Sequence, residues 1–225
     1  MSKARADIMQ EIRRTAARAE QLDNETTSTI EKRISLHARG PIPLNSEPPL
    51  ERFIAKLEYV SATVASIATI DDLAQAVMAY LQQMNIELHI VAASSRLLEN
   101  IDWPQGINIA RRGAKADDVT ALTVADAGIA ETGTLVVCSS REKPTTLNFL
   151  PDTYICVIKQ DDIYPCMEDV WDLIRKQGKG MPRAINFITG PSRTADVEQT
   201  IQLGAHGPRR LHVIILATNS FSTYR

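Results

Sequence analysis

The sequence has few cysteines, and they are not spaced as ligands. Among 225 residues there are three, Cys138, Cys156 and Cys166. An odd number without any C-x-x-C pair argues against a disulfide framework and against a self-contained zinc or iron–sulfur site. Cys138 and Cys156 lie within the apolar runs LVVC and YICVI, where a cysteine usually acts as a small hydrophobic side chain. We therefore expect all three to be reduced thiols.

The chain also lacks an excess of basic charge. It has 25 Lys and Arg against 27 Asp and Glu, which gives a formal net charge of -2 at pH 7. A protein that follows a nucleic-acid backbone needs many cations to neutralise its phosphates. Nucleic acid is therefore not an expected partner.

Long hydrophobic runs are missing too. The longest ones, such as Leu211 to Ala217, have the length of a strand, whereas a helix needs roughly 20 apolar residues to cross a bilayer. The first ten residues, Met1 to Gln10, lack the apolar centre of a signal peptide. The sequence therefore predicts a cytoplasmic protein without a membrane span.

Familiar cofactor motifs are absent from the sequence. There is neither G-x-x-x-x-G-K-[ST] nor G-x-G-x-x-G, so an NAD-linked dehydrogenase is disfavoured. His37, His89, His206 and His212 do not form H-x-x-x-H or H-E-x-x-H, the spacings that place metal ligands together. We expect neither a cofactor nor a metal.

The N-terminal 45 residues are predicted to form a helical arm followed by a proline-rich joint. Ala4 to about Glu20 is Ala-rich with Ile8 and Ile12 at helical spacing, and a second helix runs from Ile30 to Ala38 before Gly40-Pro41. The arm has few large apolar side chains, so it must pack on the domain, on a twin subunit or on a partner protein. PIPLNSEPPL then separates residues 1–45 from a globular domain at 46–225.

The domain itself alternates helices with nearly continuous apolar runs. Helices are expected at about 50–62, 71–84, 167–177 and 194–203, the second capped in the Thr69/Asp71 region. Strands are expected at 87–93, 108–112, 118–126, 134–140, 154–159, 184–189 and 211–217. This order is typical of an α/β protein with a mostly parallel sheet flanked by helices. In such sheets ligands bind outside the carboxyl ends of the strands.

The segment AGIAETGT, from Ala127 to Thr134, is a candidate binding loop. Glycines allow the backbone to approach a ligand closely, while carboxyl and hydroxyl groups supply acceptors and donors. The alternative is an ordinary turn in which Glu131 is solvated or holds neighbouring amides. The candidate ligand-binding residues here are Gly128, Thr132, Gly133 and Thr134, with Glu131 as the candidate catalytic residue.

Three further segments carry polar candidates. TGPSRTADVE, at 189–198, follows a strand and opens the predicted helix, so its amides could hold an anion, although simple N-capping explains the hydroxyl groups equally well. The turn SSREKP follows another strand, and GAHGPRRLH precedes the last one; a histidine there could serve as acid, base or anion contact. The candidates are Gly190, Ser192, Arg193, Thr194, Ser139, Arg141 and His206.

Three motifs in register carry a family resemblance. AGIAETGTLVV, NFLPDTYICVI and ITGPSRTADVEQTIQLGAHGPRRLHVIIL resemble, in order and spacing, the lactate utilization protein C family, whose domain is the LUD domain. The resemblance covers about residues 120–217. It implies a three-layer α/β fold of the superfamily that includes sugar-phosphate isomerases, coenzyme A transferases and formyltetrahydrofolate cyclo-ligases.

The resemblance also implies a role in oxidising L-lactate to pyruvate, within a system whose other members carry iron–sulfur clusters. This chain is then the subunit without a cluster. AETG resembles the Ser-Glu-Asn-Gly motif that holds the glutamate nucleophile of some coenzyme A transferases. Ala130 and Thr132 replace its serine and asparagine, which departs from that pattern.

Three hypotheses follow. In the first, the chain is an assisting subunit that binds a small anion or a partner through the 127–134, 189–194 and 204–208 loops. In the second, it is a stand-alone enzyme acting on a carboxylate, acyl-coenzyme A or sugar phosphate with Glu131 as base or nucleophile. In the third, the N-terminal arm docks the domain onto iron–sulfur proteins of the same system or joins two copies of the chain.

Overall fold

The computed structural model describes residues 3–15, 24–42, 46–178, 180–194 and 202–217. The chain divides into two compact units, Met1–Pro43 and Leu44–Arg225. The first unit holds two helices, α1 (Lys3–Thr15) and α2 (Asn24–Leu36). Both helices expected in the arm are present, and α2 begins earlier than Ile30. The assignment of residues 1–45 to a separate domain stays a prediction.

The second unit contains the remaining helices and strands. In chain order these are α3 (Pro49–Tyr59), β1 (Thr63–Ile67), α4 (Leu73–Gln83), β2 (His89–Ala92), α5 (Arg96–Glu99), β3 (Asn108–Arg111), β4 (Thr120–Val124), β5 (Ala127–Ile129), β6 (Thr134–Cys138), α6 (Thr146–Phe149), β7 (Thr153–Lys159), β8 (Ile163–Tyr164), α7 (Met167–Lys176), β9 (Ile185–Ile188), β10 (Arg193–Thr194), β11 (Gln202–Leu203) and β12 (Arg210–Leu216).

The main sheet has six strands in the order β1-β12-β7-β4-β2-β3, and every neighbouring pair is parallel. Its central strands are the apolar runs of the sequence, because a parallel sheet is covered on both faces. On one face Ile155 and Val157 pack with Leu73 and Val77 of α4. On the other, Tyr154, Cys156 and Ile158 pack in a second cluster with α3.

One face of a smaller sheet packs with α3 in this second cluster. Its four strands run in the order β8-β5-β6-β9, with β5 and β8 parallel and the other two pairs antiparallel. Val170 and Ile174 of α7 pack against Ala127, Ile129 and Val136 of this sheet. Strands β6 and β9, which the sequence assigns to a single sheet with the others, therefore belong to a second sheet.

The caps of two helices show how local sequence starts them. Before α4, the backbone and hydroxyl groups of Thr69 both donate to Asp72 Oδ2 at 2.9 Å, so the capping partner is Asp72 rather than Asp71. Before α7, the backbone amide of Cys166 donates to Asp169 Oδ2 at 3.3 Å. Each carboxylate satisfies a donor at a helix start.

The predicted fold class is confirmed: the chain is an α/β protein with a mostly parallel sheet flanked by helices. The predicted helix at 194–203 is wrong at both described ends. Residues 195–201 lie outside the described residues, but Arg193–Thr194 and Gln202–Leu203 form an antiparallel pair of strands. Strand β1 was not predicted, because TVASI is short and built mainly from small residues.

Candidate functional site

A cavity of about 150 Å³ lies where several loops of the second unit meet. Two of the predicted binding segments, 189–192 and 206–208, form one side of it. The residue pairs 148–149 and 187–188 complete the rim, and Tyr154 and Leu211 lie at the strand side. The lining residues are Asn148, Phe149, Tyr154, Phe187, Ile188, Thr189, Gly190, Ser192, His206, Gly207, Pro208 and Leu211.

Hydrogen bonds through Ser192 hold the two loop segments together. Its backbone N–H donates to Pro208 O at 2.8 Å, and its carbonyl accepts from the N–H of Gly204 at 3.0 Å. Its hydroxyl oxygen accepts from the backbone N–H of His206 at 3.4 Å. Ser192 therefore joins the two segments and also lines the cavity. The structure brings together Gly190, Ser192 and His206 of the predicted site.

A chain of three hydroxyl groups connects the AGIAETGT segment to the cavity. Thr132 Oγ1 and Thr134 Oγ1 are 2.6 Å apart, and Thr134 Oγ1 and Thr189 Oγ1 are also 2.6 Å apart. Thr134 is buried, whereas Thr189 is exposed and lines the cavity. Hydroxyl groups in series orient one another, since each has a single proton to donate. The AGIAETGT segment is therefore connected by hydrogen bonds to Thr189, which lines the cavity.

Two of the lining residues, Asn148 and Tyr154, belong to a buried polar network that the sequence did not reveal. The Tyr154 hydroxyl donates to Asn148 Oδ1 at 3.2 Å and lies 2.6 Å from Thr123 Oγ1. Burial raises the pKa of Tyr154 well above its ordinary value, so the phenol keeps its proton. Asn148 is 2% exposed, and its Nδ2 has no hydrogen-bond partner among the described residues.

Glu131 lies away from the cavity, at the start of a helix. Its Oε2 accepts a hydrogen bond from the backbone N–H of Met167, the first residue of α7, at 3.3 Å. Its own N–H donates to Pro165 O at 3.1 Å. A carboxylate at a helix N-terminus is stabilised by the unpaired amides and the helix dipole. The hydrogen bond agrees with the alternative in which Glu131 holds a neighbouring amide, and the catalytic role of Glu131 stays a prediction.

The glycines of this segment pack against protein rather than against an open site. Gly128 is in β5, and a Cβ atom there would lie 2.7 Å from Ile158 Cδ1 and 3.1 Å from Phe53. Gly133 has φ +68°, and its Cβ would lie 2.9 Å from the backbone N of Leu57 in α3. Close packing against α3 accounts for both glycines, and their role as ligand contacts stays a prediction.

The turn after β6 is also engaged with the protein. The N–H of Ser139 donates to Ala184 O at 2.9 Å, and its hydroxyl oxygen accepts from the N–H of Ala184 at 2.9 Å. Ser139 thus continues the pairing of β6 with β9. Arg141 is exposed in the following turn, and neither residue lines the cavity.

Arg193 and Thr194 form the two residues of β10, which pairs with β11. The sequence predicted an anion site at the amides of a helix N-terminus, but residues 193 and 194 lie in a strand instead of at the start of a helix. Arg193 is exposed and directly follows Ser192. Arg193 is not among the residues that line the cavity.

One basic residue lines the cavity, and another follows a lining residue in the sequence. His206 lines the cavity and is exposed. Arg209 follows the lining residue Pro208, and its Nε lies 3.6 Å from Asp152 Oδ1. Because that pair is exposed, solvent screens its charges.

The position of the cavity differs from the expectation for doubly wound sheets. Tyr154 and Leu211 are the second residues of β7 and β12, so the cavity lies beside the amino ends of these strands. Asn148 and Phe149 were not predicted as site residues. They begin the motif NFLPDTYICVI, and this motif was the only feature of the sequence that pointed to them.

The cysteines behave as the sequence predicts. All three have free thiols. Cys156 is fully buried, and burial raises its pKa from 9.0 to about 11. Burial also raises the pKa of Cys138, with the nearby Asp126 carboxylate adding to the effect. Such thiols stay protonated and are poor nucleophiles or metal ligands.

Two kinds of feature were not found in the described part of the chain. Across these residues, no group of three or more His, Cys, Asp or Glu side chains is arranged to hold a metal ion. None of the helices described has both the length and the apolar character to cross a membrane.

The fold and the cavity define a parallel α/β domain with a small second sheet, and comparison with known proteins gives its family. The LUD domain family model matches residues 50–216. The chain belongs to the LUD domain family.

Several curated relatives are named lactate utilization protein C. A lactate utilization protein C from a Geobacillus species is 36% identical over 135 residues, covering 59% of this chain and 51% of the relative. One from Anoxybacillus flavithermus is 29% identical, covering 85% and 70%, respectively. One from Bacillus subtilis is 36% identical, covering 43% and 41%. For most of the curated relatives it matches, the chain spans about half of their length.

A solved structure shows the same fold. The crystal structure of a DUF162 family protein from Deinococcus radiodurans matches with a TM-score of 0.59 and 21% sequence identity, covering 77% of this chain and 99% of that one. The likeness supports the α/β architecture described above.

Proposed function

We propose that this protein is a component of a lactate utilization system that supports the oxidation of L-lactate to pyruvate. The observation that carries the proposal is membership of the LUD domain family together with relatives named lactate utilization protein C. The three motifs that carry the resemblance lie within the region that the family model matches.

Within that system, the chain is the subunit without an iron–sulfur cluster. Cluster ligation needs several thiolates at close spacing, and the three cysteines occur at 138, 156 and 166 with no C-x-x-C pair. Cys156 is fully buried between the strands of the main sheet and α3, with its pKa raised. These features favour iron–sulfur proteins as partners that supply the redox chemistry.

The site supports a binding or assisting role. Glu131, the candidate nucleophile of a stand-alone enzyme, contacts the first amide of α7 instead of lining the cavity. The cavity offers hydroxyl, amide and imidazole groups, which suit recognition of a small polar ligand. No observation favours the stand-alone enzyme, which therefore remains the weaker alternative.

The N-terminal arm supplies a docking surface. In α1, Ile8 and Ile12 are 60% and 54% exposed, and in α2, Ile34 is 65% exposed. Ile8 and Ile12 are four residues apart and so share a helix face. Exposed apolar stripes of this kind mark protein contacts. We assign this surface to an iron–sulfur partner, with pairing of two copies of the chain as the alternative.

A deletion strain tests the proposal in the cell. Removal of the gene from its own organism is expected to abolish growth on L-lactate as sole carbon source while leaving growth on pyruvate intact, because only the step before pyruvate is lost. Wild-type protein supplied in trans restores growth. Equal growth of the deletion and parent strains on L-lactate would contradict the proposal.

A further inference from the structure

We propose that the cavity between the 189–192 and 206–208 segments binds a short-chain carboxylate. The oxygens of the carboxylate accept hydrogen bonds from the Thr189 and Ser192 hydroxyls and from the amide of Asn148. The choice of 2-hydroxy and 2-oxo acids within this class rests on the proposed function. The carboxylate class itself rests on the donors that line the cavity.

The unpaired amide of Asn148 is the main observation. Asn148 lines the cavity and is 2% exposed. Its Oδ1 accepts from the Tyr154 hydroxyl, whereas Nδ2 has no partner among the residues that the structure describes. Buried polar groups in native proteins are nearly always hydrogen-bonded, so one left unpaired calls for an explanation. An acceptor oxygen bound in the cavity would satisfy this donor.

Two hydroxyl groups add donors from the opposite loop. Ser192 Oγ accepts from the N–H of His206, which leaves its own proton free to donate to a ligand. Thr189 is the terminal member of the Thr132–Thr134–Thr189 hydroxyl chain. An anion at the cavity would orient all three protons toward itself, since each hydroxyl then donates to the next. The donors therefore match an acceptor with negative charge.

Donor groups and size narrow the class further. His206 lines the cavity, and an imidazole N–H donates hydrogen bonds to anions. The cavity has a volume of about 150 Å³, which is small compared with the roughly 300–1,000 Å³ of sites for drug-sized molecules. A nucleotide or an acyl-coenzyme A is larger than this volume and would extend out of the cavity.

The apolar part of the lining suits a short carbon chain. Phe149 and Phe187 both line the cavity, and they are 40% and 37% exposed. Aromatic side chains this exposed at a concave site are typical of ligand pockets lined by apolar groups with a few polar ones. A methyl or ethyl group beside the carboxylate would cover part of these rings. Inorganic phosphate lacks such a group.

Titration of the full-length chain tests the proposal. Isothermal titration calorimetry and protein NMR would compare L-lactate, pyruvate, propionate, lactamide and inorganic phosphate. We expect the three carboxylates to bind and to shift signals of Thr189, Ser192 and His206. Lactamide, which has the same shape as lactate without the charge, should bind at least tenfold more weakly, as should phosphate. Equal binding of lactate and lactamide would overturn the proposal.

Two variants locate the site. Asn148→Asp keeps the acceptor for Tyr154 but replaces the free donor by an oxygen, and Thr189→Val removes the terminal hydroxyl with little change in shape. Each should weaken lactate binding by tenfold or more. Asn108→Asp makes the same exchange at an exposed position of β3, three strands from β7 in the sheet, and it should bind as wild type does. Unchanged binding by a folded Thr189→Val variant would contradict the assignment.

The outcomes separate this inference from the proposed function. If carboxylates bind but the deletion strain grows normally on L-lactate, the cavity assignment stands and the lactate role fails. If the deletion strain does not grow and the wild-type protein shows no carboxylate binding, the lactate role stands and the cavity assignment fails. Thermal melts followed by circular dichroism establish that each variant is folded.

Discussion

The carboxylate of Glu131 and the backbone amide of Met167 are joined by a hydrogen bond of 3.3 Å across 36 residues of sequence. It connects the loop between β5 and β6 to the first residue of α7. The contact places the one acidic residue of the AGIAETGT motif at a helix start. This contact gives Glu131 a structural role that does not require a substrate.

Replacing Glu131 with Gln should affect stability slightly and leave function intact. Glutamine keeps an oxygen for the Met167 amide but loses the charge that interacts with the helix dipole, so we expect a loss of about 0.3–1 kcal/mol in the free energy of unfolding. Urea denaturation measures this loss. Glu87→Gln, an exposed position before β2, serves as the control, and loss of growth on L-lactate in the Glu131 variant alone would contradict the structural role.

Replacing Gly133 with Ala should destabilise the domain strongly. The positive φ of +68° costs an L-residue about 1–2 kcal/mol. The new Cβ would also lie 2.9 Å from the backbone of Leu57, and such overpacking adds roughly 1–3 kcal/mol.

Gly178→Ala isolates the backbone contribution to this loss. Gly178 has φ +64°, and a Cβ atom added there would have no atom of the described residues within 4 Å apart from those of Gly178 and its chain neighbours, so only the conformational cost of about 1–2 kcal/mol applies. Equal losses in the two variants, measured by urea denaturation, would show that α3 does not press on Gly133.

His212 should make the protein less stable in mild acid. Its ring stacks on that of Tyr80 at 3.9 Å, Thr63 hydrogen-bonds its Nδ1 at 2.8 Å, and burial lowers its pKa from 6.5 to about 4. Because the folded-state pKa lies below the unfolded one, the unfolded chain binds the proton more tightly. Stability is then full above pH 6.5 and falls by about 3 kcal/mol as the pH drops toward 4.

Chemical denaturation between pH 4 and 7 measures this dependence. His212→Gln should lower stability at pH 7, because a packed ring is lost, and should flatten the slope between pH 6.5 and 4. His37→Gln, at an exposed position in the arm, should keep the wild-type slope. A His212 variant with an unchanged slope would show that another group causes the loss in acid.

Deleting residues 1–40 should separate folding from association. The family match begins at residue 50, so the truncated chain should still unfold cooperatively in a thermal melt. If the arm carries the docking surface, size-exclusion chromatography with light scattering will show that the complex with iron–sulfur partners is lost. Ile8→Asp with Ile12→Asp tests the same face in the full chain. Unchanged association of both variants would remove the arm from the interface.

The strands of the main sheet could be predicted because burial on both faces demands continuous apolar runs, as in YICVIK and LHVIILA. The strand TVASI was not predicted, because a short strand of mainly small residues at the edge of a sheet has no clear hydrophobic pattern. The segment at 194–203 has helical residue types, yet its described ends pair as strands. In both cases tertiary contacts, which single-sequence patterns do not contain, determine the local structure.

The candidate site was only partly predictable for a related reason. Ser192 and His206 were predicted because polar residues beside glycines in loops are typical of binding sites, and both line the cavity. Gly128 has the same signature, but packing of Phe53 and Ile158 explains it. Asn148 was missed, since an asparagine gives no sign in the sequence that one of its donors will be buried without a partner among the described residues.

Reconstitution of lactate-dependent dye reduction tests the central claim most directly. The assay compares this protein alone, its candidate iron–sulfur partners alone and the mixture, each with wild type and Glu131→Gln. The account predicts reduction that depends on the presence of this protein in the mixture, and equal rates for the two forms. Turnover by this protein alone that Glu131→Gln abolishes would contradict it and would establish the stand-alone enzyme.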